Sequence, residues 1–190
     1  MTAELAVIAL SMPILFALHN LEEIAIFDYF MRKKRTKILQ RLPKKAALCI
    51  APVLKSVGSA GFTLAVTVLF VVLAAISYFA LWQDNHTAWL VWLAATVVFT
   101  FQLVVHIITA IYWRGYAFGT ITAVLCLPAF IWMIARFMQI KPFALTEVII
   151  ASIIVGVVTY AGGIPLLYAR LMRKFEARFG NAKEGYSDGE

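Results

Sequence analysis

The chain has 190 residues, of which 63% are hydrophobic and only 14% charged, with a mean hydropathy of +0.86. That balance excludes an ordinary soluble domain and leaves a polytopic membrane protein, an all-α helix bundle in which each span needs about 20 mostly apolar residues. The formal net charge of +7 does not point to nucleic acid, because the basic residues crowd into two short segments beside apolar runs, where they read as topology signals.

Apolar runs and their breaks predict five transmembrane helices, roughly 4–30, 60–82, 88–113, 116–138 and 145–169. Residues 1–175 then form one helical domain, and the polar tail 176–190 has no apolar face to bury and reads as disordered. "MTAEL" lacks a positively charged leader and the first run ends in a basic stop, so this span is expected to be retained and not cleaved. Basic residues follow span one (Arg32 to Lys45) and span five (Arg170 to Lys174), and Arg114 separates spans three and four. The positive-inside rule sets all three in the cytoplasm, which puts the N-terminus outside, the C-terminus inside and the protein in the cytoplasmic (plasma) membrane. Between spans one and two, Pro52, Lys55 and Gly58 favour an interfacial helix over 44–59 lying along the membrane surface, with a plain loop as the alternative. Two cysteines, Cys49 and Cys126, cannot build a disulfide framework and suit a reduced setting.

Span one holds the feature that needs explaining, "ALHNLEEIAIF" at 17–27. At about 100° per residue, Glu22 lies about 60° to one side of His19 and Glu23 about 40° to the other, so the three share one face. The twelve Leu, Ile, Val and Phe residues between Leu5 and Phe27 favour insertion by roughly 4–7 kcal/mol, and two acids near mid-span cost roughly 5–7. The span therefore needs partners inside the bundle, through protonation, ion pairing, hydrogen bonding or a metal, and ionisable groups in that setting mark a functional site. Residue counting supplies them. His106 lies eight residues before Arg114 and His19 thirteen before Arg32, within about one and a half helical turns of the same depth. Gln102 and Thr109 share the His106 face, Tyr160 and Thr159 reach similar depth on span five, and Thr120, Thr122 and Cys126 do so on span four. Gly115, Gly119 and Ala123 on span four, and Ser152, Gly156 and Gly163 on span five, are small-residue packing seams, and Gly162, Gly163 and Pro165 should loosen span five near Tyr160.

His19 and Glu23 at i,i+4 with His106 make a two-histidine, one-carboxylate set that suits zinc with an open position for water, or non-haem iron, and leaves Glu22 free to act as general base. Without a metal, the same four residues, His19, Glu22, Glu23 and His106, could run acid–base chemistry. His86 reads as solvated, Glu4 and Asp28 as boundary charges, Arg136 as snorkelling, and the five tryptophans as mainly lipid-facing or interfacial anchors.

H-N-L-E-E at 19–23 in the first span, followed by a lone histidine in a later one, resembles the HXXEE-motif family of small integral membrane proteins, whose function is uncharacterised. The resemblance covers nearly the whole chain and implies His19, Glu22, Glu23 and His106 as site residues. The family's Y-x-P-G-like stretch finds only "CLPA", Cys126 to Ala129, keeping Pro128. Intramembrane CAAX-type proteases fit worse, because Phe27 stands where their E-E-x-x-x-R pattern needs arginine, and three histidines are too few for a di-iron hydroxylase. Sterol-isomerase-like bundles compare by fold analogy alone. Three function classes remain: a membrane enzyme acting on a lipid-like substrate, a small proton-coupled transporter, and an accessory subunit whose polar face docks another membrane protein. The lipid bilayer is the expected partner, nucleic acid is not, and oligomeric state is left open.

Overall fold

The computed structural model describes residues 2–41 and 59–163. Segment 44–58, Cys49 and the tail 176–190 lie outside the described residues. The chain is all-helical over the rest: α1 (Ala3–Arg41), α2 (Ser59–Gln83), α3 (His86–Tyr112), α4 (Thr120–Ile140) and α5 (Leu145–Val157), the last running on into a π-helical turn, Val158–Gly163. Four helices are long and apolar enough to cross a membrane, Ala3–Lys33, Ser59–Gln83, His86–Tyr112 and Thr120–Ile140. The fifth expected span is helical as far as Gly163, and its remainder to 169 lies outside the described residues. The loosening expected near Tyr160 takes the form of the π turn, whose last two residues are Gly162 and Gly163, while Pro165 lies outside the described residues.

α1 packs on α2 and α4, while α3 packs on α2, α4 and α5. The short connections 84–85, 113–119 and 141–144 make α2, α3, α4 and α5 each run antiparallel to the next. Lipid-facing surface is read directly from exposed aliphatics such as Ile111 (71% exposed) and Leu125 (70%). Hydroxyls at helix positions Ser11, Thr63, Thr67, Thr96 and Thr100 donate to the carbonyl four residues back, so they need no partner from another helix.

The tightest packing lies toward the Asp84 end. Trp89, Trp92, Phe130 and Phe137 are wholly buried, with Trp92 and Phe137 ring centres 4.8 Å apart. The anchor reading of tryptophan is thus corrected for Trp89 and Trp92, while Trp82 and Trp132 remain outside. Indole can be buried where its N–H finds an acceptor: Trp89 Nε1 donates to Asp84 Oδ1 (2.7 Å) and Trp92 Nε1 to Ser77 Oγ (3.2 Å). Trp92 Nε1 also approaches the carbonyl of Ala9 at 3.4 Å. Pro13 has no N–H to give that carbonyl, so a side chain from α3 answers the acceptor that the proline leaves free in α1. Arg136 does not snorkel alone either; its fork holds Glu4, with Nε–Oε1 at 2.5 Å and Nη2–Oε2 at 3.2 Å.

Candidate functional site

His19, Glu22 and Glu23 leave α1 in two directions. Glu22 turns to the start of α4, a helix whose first residues have no side-chain cap of their own because Gly119 occupies the capping position. Its carboxylate supplies the missing acceptor from α1. Oε2 accepts from Thr122 N (2.7 Å) and Thr122 Oγ1 (2.5 Å), and Oε1 accepts from Ile121 N (3.4 Å) and from the Tyr116 hydroxyl. An anion at a helix N-terminus also meets the positive end of the helix dipole. Burial, with the Glu22 carboxylate beside it, pushes the Tyr116 phenol above its ordinary range, which keeps it a donor. Glu22 is therefore occupied as a cap, and the role of free general base expected from the spacing does not match its hydrogen bonding.

Glu23 and His19 turn inward and are buried at 2% and 0% exposure. His106, from α3, completes the group. Its Nε2 lies 3.2 Å from Glu23 Oε1, and His19 Nε2 lies 3.7 Å from the same oxygen. The two imidazole centres are 5.1 Å apart. Of the residues selected by depth counting, His19, Glu23 and His106 thus come together.

The hydrogen-bond partners determine which ring nitrogens carry protons. His106 Nδ1 is 3.1 Å from the carbonyl of Phe118, which can only accept, so Nδ1 is the donor. His19 Nδ1 is 3.1 Å from Thr122 Oγ1. That hydroxyl has a single proton, for which Glu22 Oε2 at 2.5 Å is a nearer acceptor than the carbonyls of His19 at 3.2 Å and Gly119 at 3.5 Å, and with the proton on any of the three it accepts from His19 Nδ1. In their neutral forms both rings consequently turn an Nε2 lone pair toward Glu23 Oε1. With Glu23 ionised, three acceptors then converge with no donor among them. Among the described residues, the buried side-chain atoms lacking a hydrogen-bond partner are His19 Nε2, Glu23 Oε1 and Ser152 Oγ, and two of these three belong to the cluster. One ligand atom from each of His19, Glu23 and His106 can be chosen so that all lie within 4.8 Å of one another. The 3.2 and 3.7 Å separations bracket the spacing of about 3.3 Å between donors around a tetrahedral zinc with 2.0–2.1 Å bonds.

Gly119 allows this closeness. Its φ of +76° lies in the left-handed region, and a Cβ there would sit 2.5 Å from Glu23 Oε1 and 3.1 Å from His19 Cε1. The seam read as small-residue packing is here the wall of the site, whereas Gly115 faces open space. The supporting residues divide. Tyr160 donates to Gln102 Oε1 at 2.7 Å, and both line a cavity that Glu23 also lines. Thr109 donates to Val105 O in its own helix and makes no bond to the cluster. Cys126 is buried and free, and Pro128, inside α4, is exposed. Phe27 stacks on Phe62 with ring centres 4.5 Å apart, a packing role where the CAAX pattern would need a cation.

Tyr116 and Phe118 were not among the residues selected from the sequence, Gly119 was read only as a packing residue, and Thr122 was selected by depth alone. The available signal was the Gly119–Thr122 junction itself, a glycine followed by three residues that open a helix without a local cap. Comparisons with curated proteins and with solved structures return no match. The model of a family described as "Protein of unknown function with HXXEE motif" matches residues 10–133, a stretch that contains every residue of the cluster and its supports except Tyr160, and the chain belongs to that family.

Proposed function

We propose that this protein is an intramembrane enzyme in which His19, Glu23 and His106 hold a divalent transition metal ion, zinc or iron, and act on a lipid-like substrate. One observation carries the reading: two imidazoles, each fixed through Nδ1 on an oxygen acceptor, aim their other nitrogens at one buried carboxylate oxygen. Metal-ligating histidines have this outer support, which fixes the ring and its tautomer. A cation at the meeting point would relieve three mutually repelling lone pairs and, with three protein ligands, would retain a position for a reacting group. When bound, such an ion supplies Lewis acidity to an oxygen of the substrate. The chain's own residues exclude water and orient the ligands: Glu22 and Thr122 hold His19, and the Phe118 carbonyl holds His106. The lipid-like substrate is supported by the cavity beside Glu23, whose walls are mostly apolar. The positive-inside rule orients the site toward the cytoplasmic half of the plasma membrane.

The test is metal analysis of the purified protein, with His19→Ala and His106→Ala beside it. About one transition metal ion per chain is expected, lost in both variants; retention in both would exclude these ligands. A metal-free second reading has one observation in its favour. The 3.2 Å between His106 Nε2 and Glu23 Oε1 is a hydrogen-bonding distance, so a proton on Glu23 could occupy the same place and serve acid–base chemistry. Protein that never takes up metal, yet loses turnover in Glu23→Gln, would favour that version.

A further inference from the structure

The cavity that Glu23 lines has a volume of about 170 Å³ and lies between α1, α2, α3 and the α5 π turn. Its polar groups, Asn20, Glu23, Gln102, Thr159 and Tyr160, come from the far ends of the wall segments of three parallel elements, so they gather at one end. The other end, seven residues and about 10 Å back along α1, is closed by Phe16, Ala95 and Ile76. The walls between are aliphatic and aromatic. Among the described lining residues there is no lysine or arginine, and the charge of an ion held at Glu23 would already be shared with that carboxylate, so the walls add nothing to hold a phosphate or carboxylate there.

Two lining residues also face outward: Val72 of α2 is 46% exposed and Tyr160 is 44% exposed. Among the described residues, the wall is therefore open on its outer side between α2 and the π turn. Tyr160 stands at that opening with its hydroxyl bonded to Gln102 Oε1 at 2.7 Å, on a π-helical turn of the kind often found at functional sites. The volume is close to that of an apolar protein cavity of about 150 Å³ that admits benzene, which is room for one chain end and not for two tails.

We propose that the cavity takes, laterally from the bilayer between α2 and α5, a single-chain lipid with a neutral oxygen-bearing end group, a long-chain alcohol or its ester, with Glu23, Gln102 and Tyr160 meeting that end group. This substrate class rests on the reading of Glu23 as part of the reacting centre. A chain arriving from the membrane leaves its tail in the acyl layer and brings only its end group and first carbons into the pocket. The glycerophosphate headgroup of a phospholipid, with two chains joined to it, is too bulky to enter by one narrow end, and a water-soluble molecule would find an apolar entrance.

The test uses the full chain in lipid nanodiscs and three photoreactive probes of equal chain length: a fatty alcohol, the corresponding fatty acid and a phospholipid, each with a diazirine near the polar end. The alcohol should label cavity-wall peptides bearing Leu69, Leu73 or Val155, with the acid and the phospholipid labelling them much less. Ala95→Phe places a ring in the closed end of the cavity and should lower alcohol labelling about tenfold, a loss of about 1.4 kcal/mol in occupancy. Metal content should be unchanged. If Ala95→Phe does not give monodisperse protein, Ala65→Leu narrows the cavity from α2, nearer its polar end, and competition by unlabelled alcohol gives the decision without a variant. Labelling confined to outward residues such as Val71 and Ile131, equal cavity labelling by all three probes, or undiminished labelling in a folded blocking variant would overturn the proposal. Metal retained with cavity labelling absent rejects this inference alone, and cavity labelling retained without metal rejects only the metal reading.

Discussion

The two ends of the bundle use the same residue types to opposite effect. At the Asp84 end, Glu4 meets Arg136, Asp84 meets Lys141 and Glu147 meets His86, and every one of these side chains is between 30% and 60% exposed. At the Arg114 end, the side chain of Glu23 is 3% exposed and faces those of His19 and His106, at 0% and 14%, with no lysine or arginine among the described residues bonded to it. The first set is paired and wet, an arrangement that costs little and stabilises little. The second gathers like-natured acceptors in a dry place, which is costly unless a proton or a bound cation meets them. Charge count does not distinguish these ends; burial and the identity of the partner do.

The sharpest way to break the comparison is at Gly119. Gly119→Ala forces a non-glycine residue into the left-handed region, at about 1–2 kcal/mol, and drives its Cβ into Glu23 and His19. A lowered thermal midpoint together with loss of bound metal is expected. Gly115→Ala, four residues earlier, has nothing within 4 Å of the added carbon and should change neither. Equal effects of the two substitutions would mean that the close approach of α4 does not build the site.

A smaller effect is expected one shell out. Thr122→Val keeps side-chain shape and the Thr122 N–H bond to Glu22, and removes the oxygen that fixes His19 Nδ1. Outer-shell losses of this kind lower metal affinity about 10–100-fold. Competition against a chelator of known affinity should show that weakening with stoichiometry intact at saturating metal. An unchanged affinity would remove Thr122 from the design and leave His19 oriented by packing alone.

What could be read in advance follows from what is local. Hydropathy placed α2 and α3 within two residues, Ser59–Gln83 for 60–82 and His86–Tyr112 for 88–113, because long apolar runs end where polar residues begin. α4 starts at Thr120 instead of 116, since the left-handed Gly119 interrupts the helix where hydropathy continues. His106 was legible because depth in a membrane is arithmetic: topology plus rise per residue brings equal depths together. The separate fates of Glu22 and Glu23 were not. They sit on one helical face, and only the placement of α3 and α4 decides that one caps a helix and the other meets imidazoles. Tyr116 was missed for the same reason, its partner lying 94 positions away. Trp89 and Trp92 show the limit of composition: an apolar helix does not announce which side faces protein and which faces lipid.

The smallest expected effect belongs to the wet end. Asp84 accepts from Lys141 Nζ at 2.6 Å and from Trp89 Nε1 at 2.7 Å, and the Lys141 bond, then that of Trp89, holds its carboxyl below the ordinary aspartate range. A carboxylate with a lowered folded-state value contributes its stability in full above the unfolded value and loses it as pH falls through the folded one. Asp84→Asn suits the backbone, whose φ of +44° asparagine tolerates, and removes only the charge. The difference in thermal midpoint between the natural protein and Asp84→Asn should be constant from neutral pH down to the ordinary aspartate range, and should shrink to nothing in more acid solution. A difference that persists at the lowest pH would mean that the carboxylate acts there through hydrogen-bond geometry and not through charge. The contrast between the two ends would then rest on burial alone.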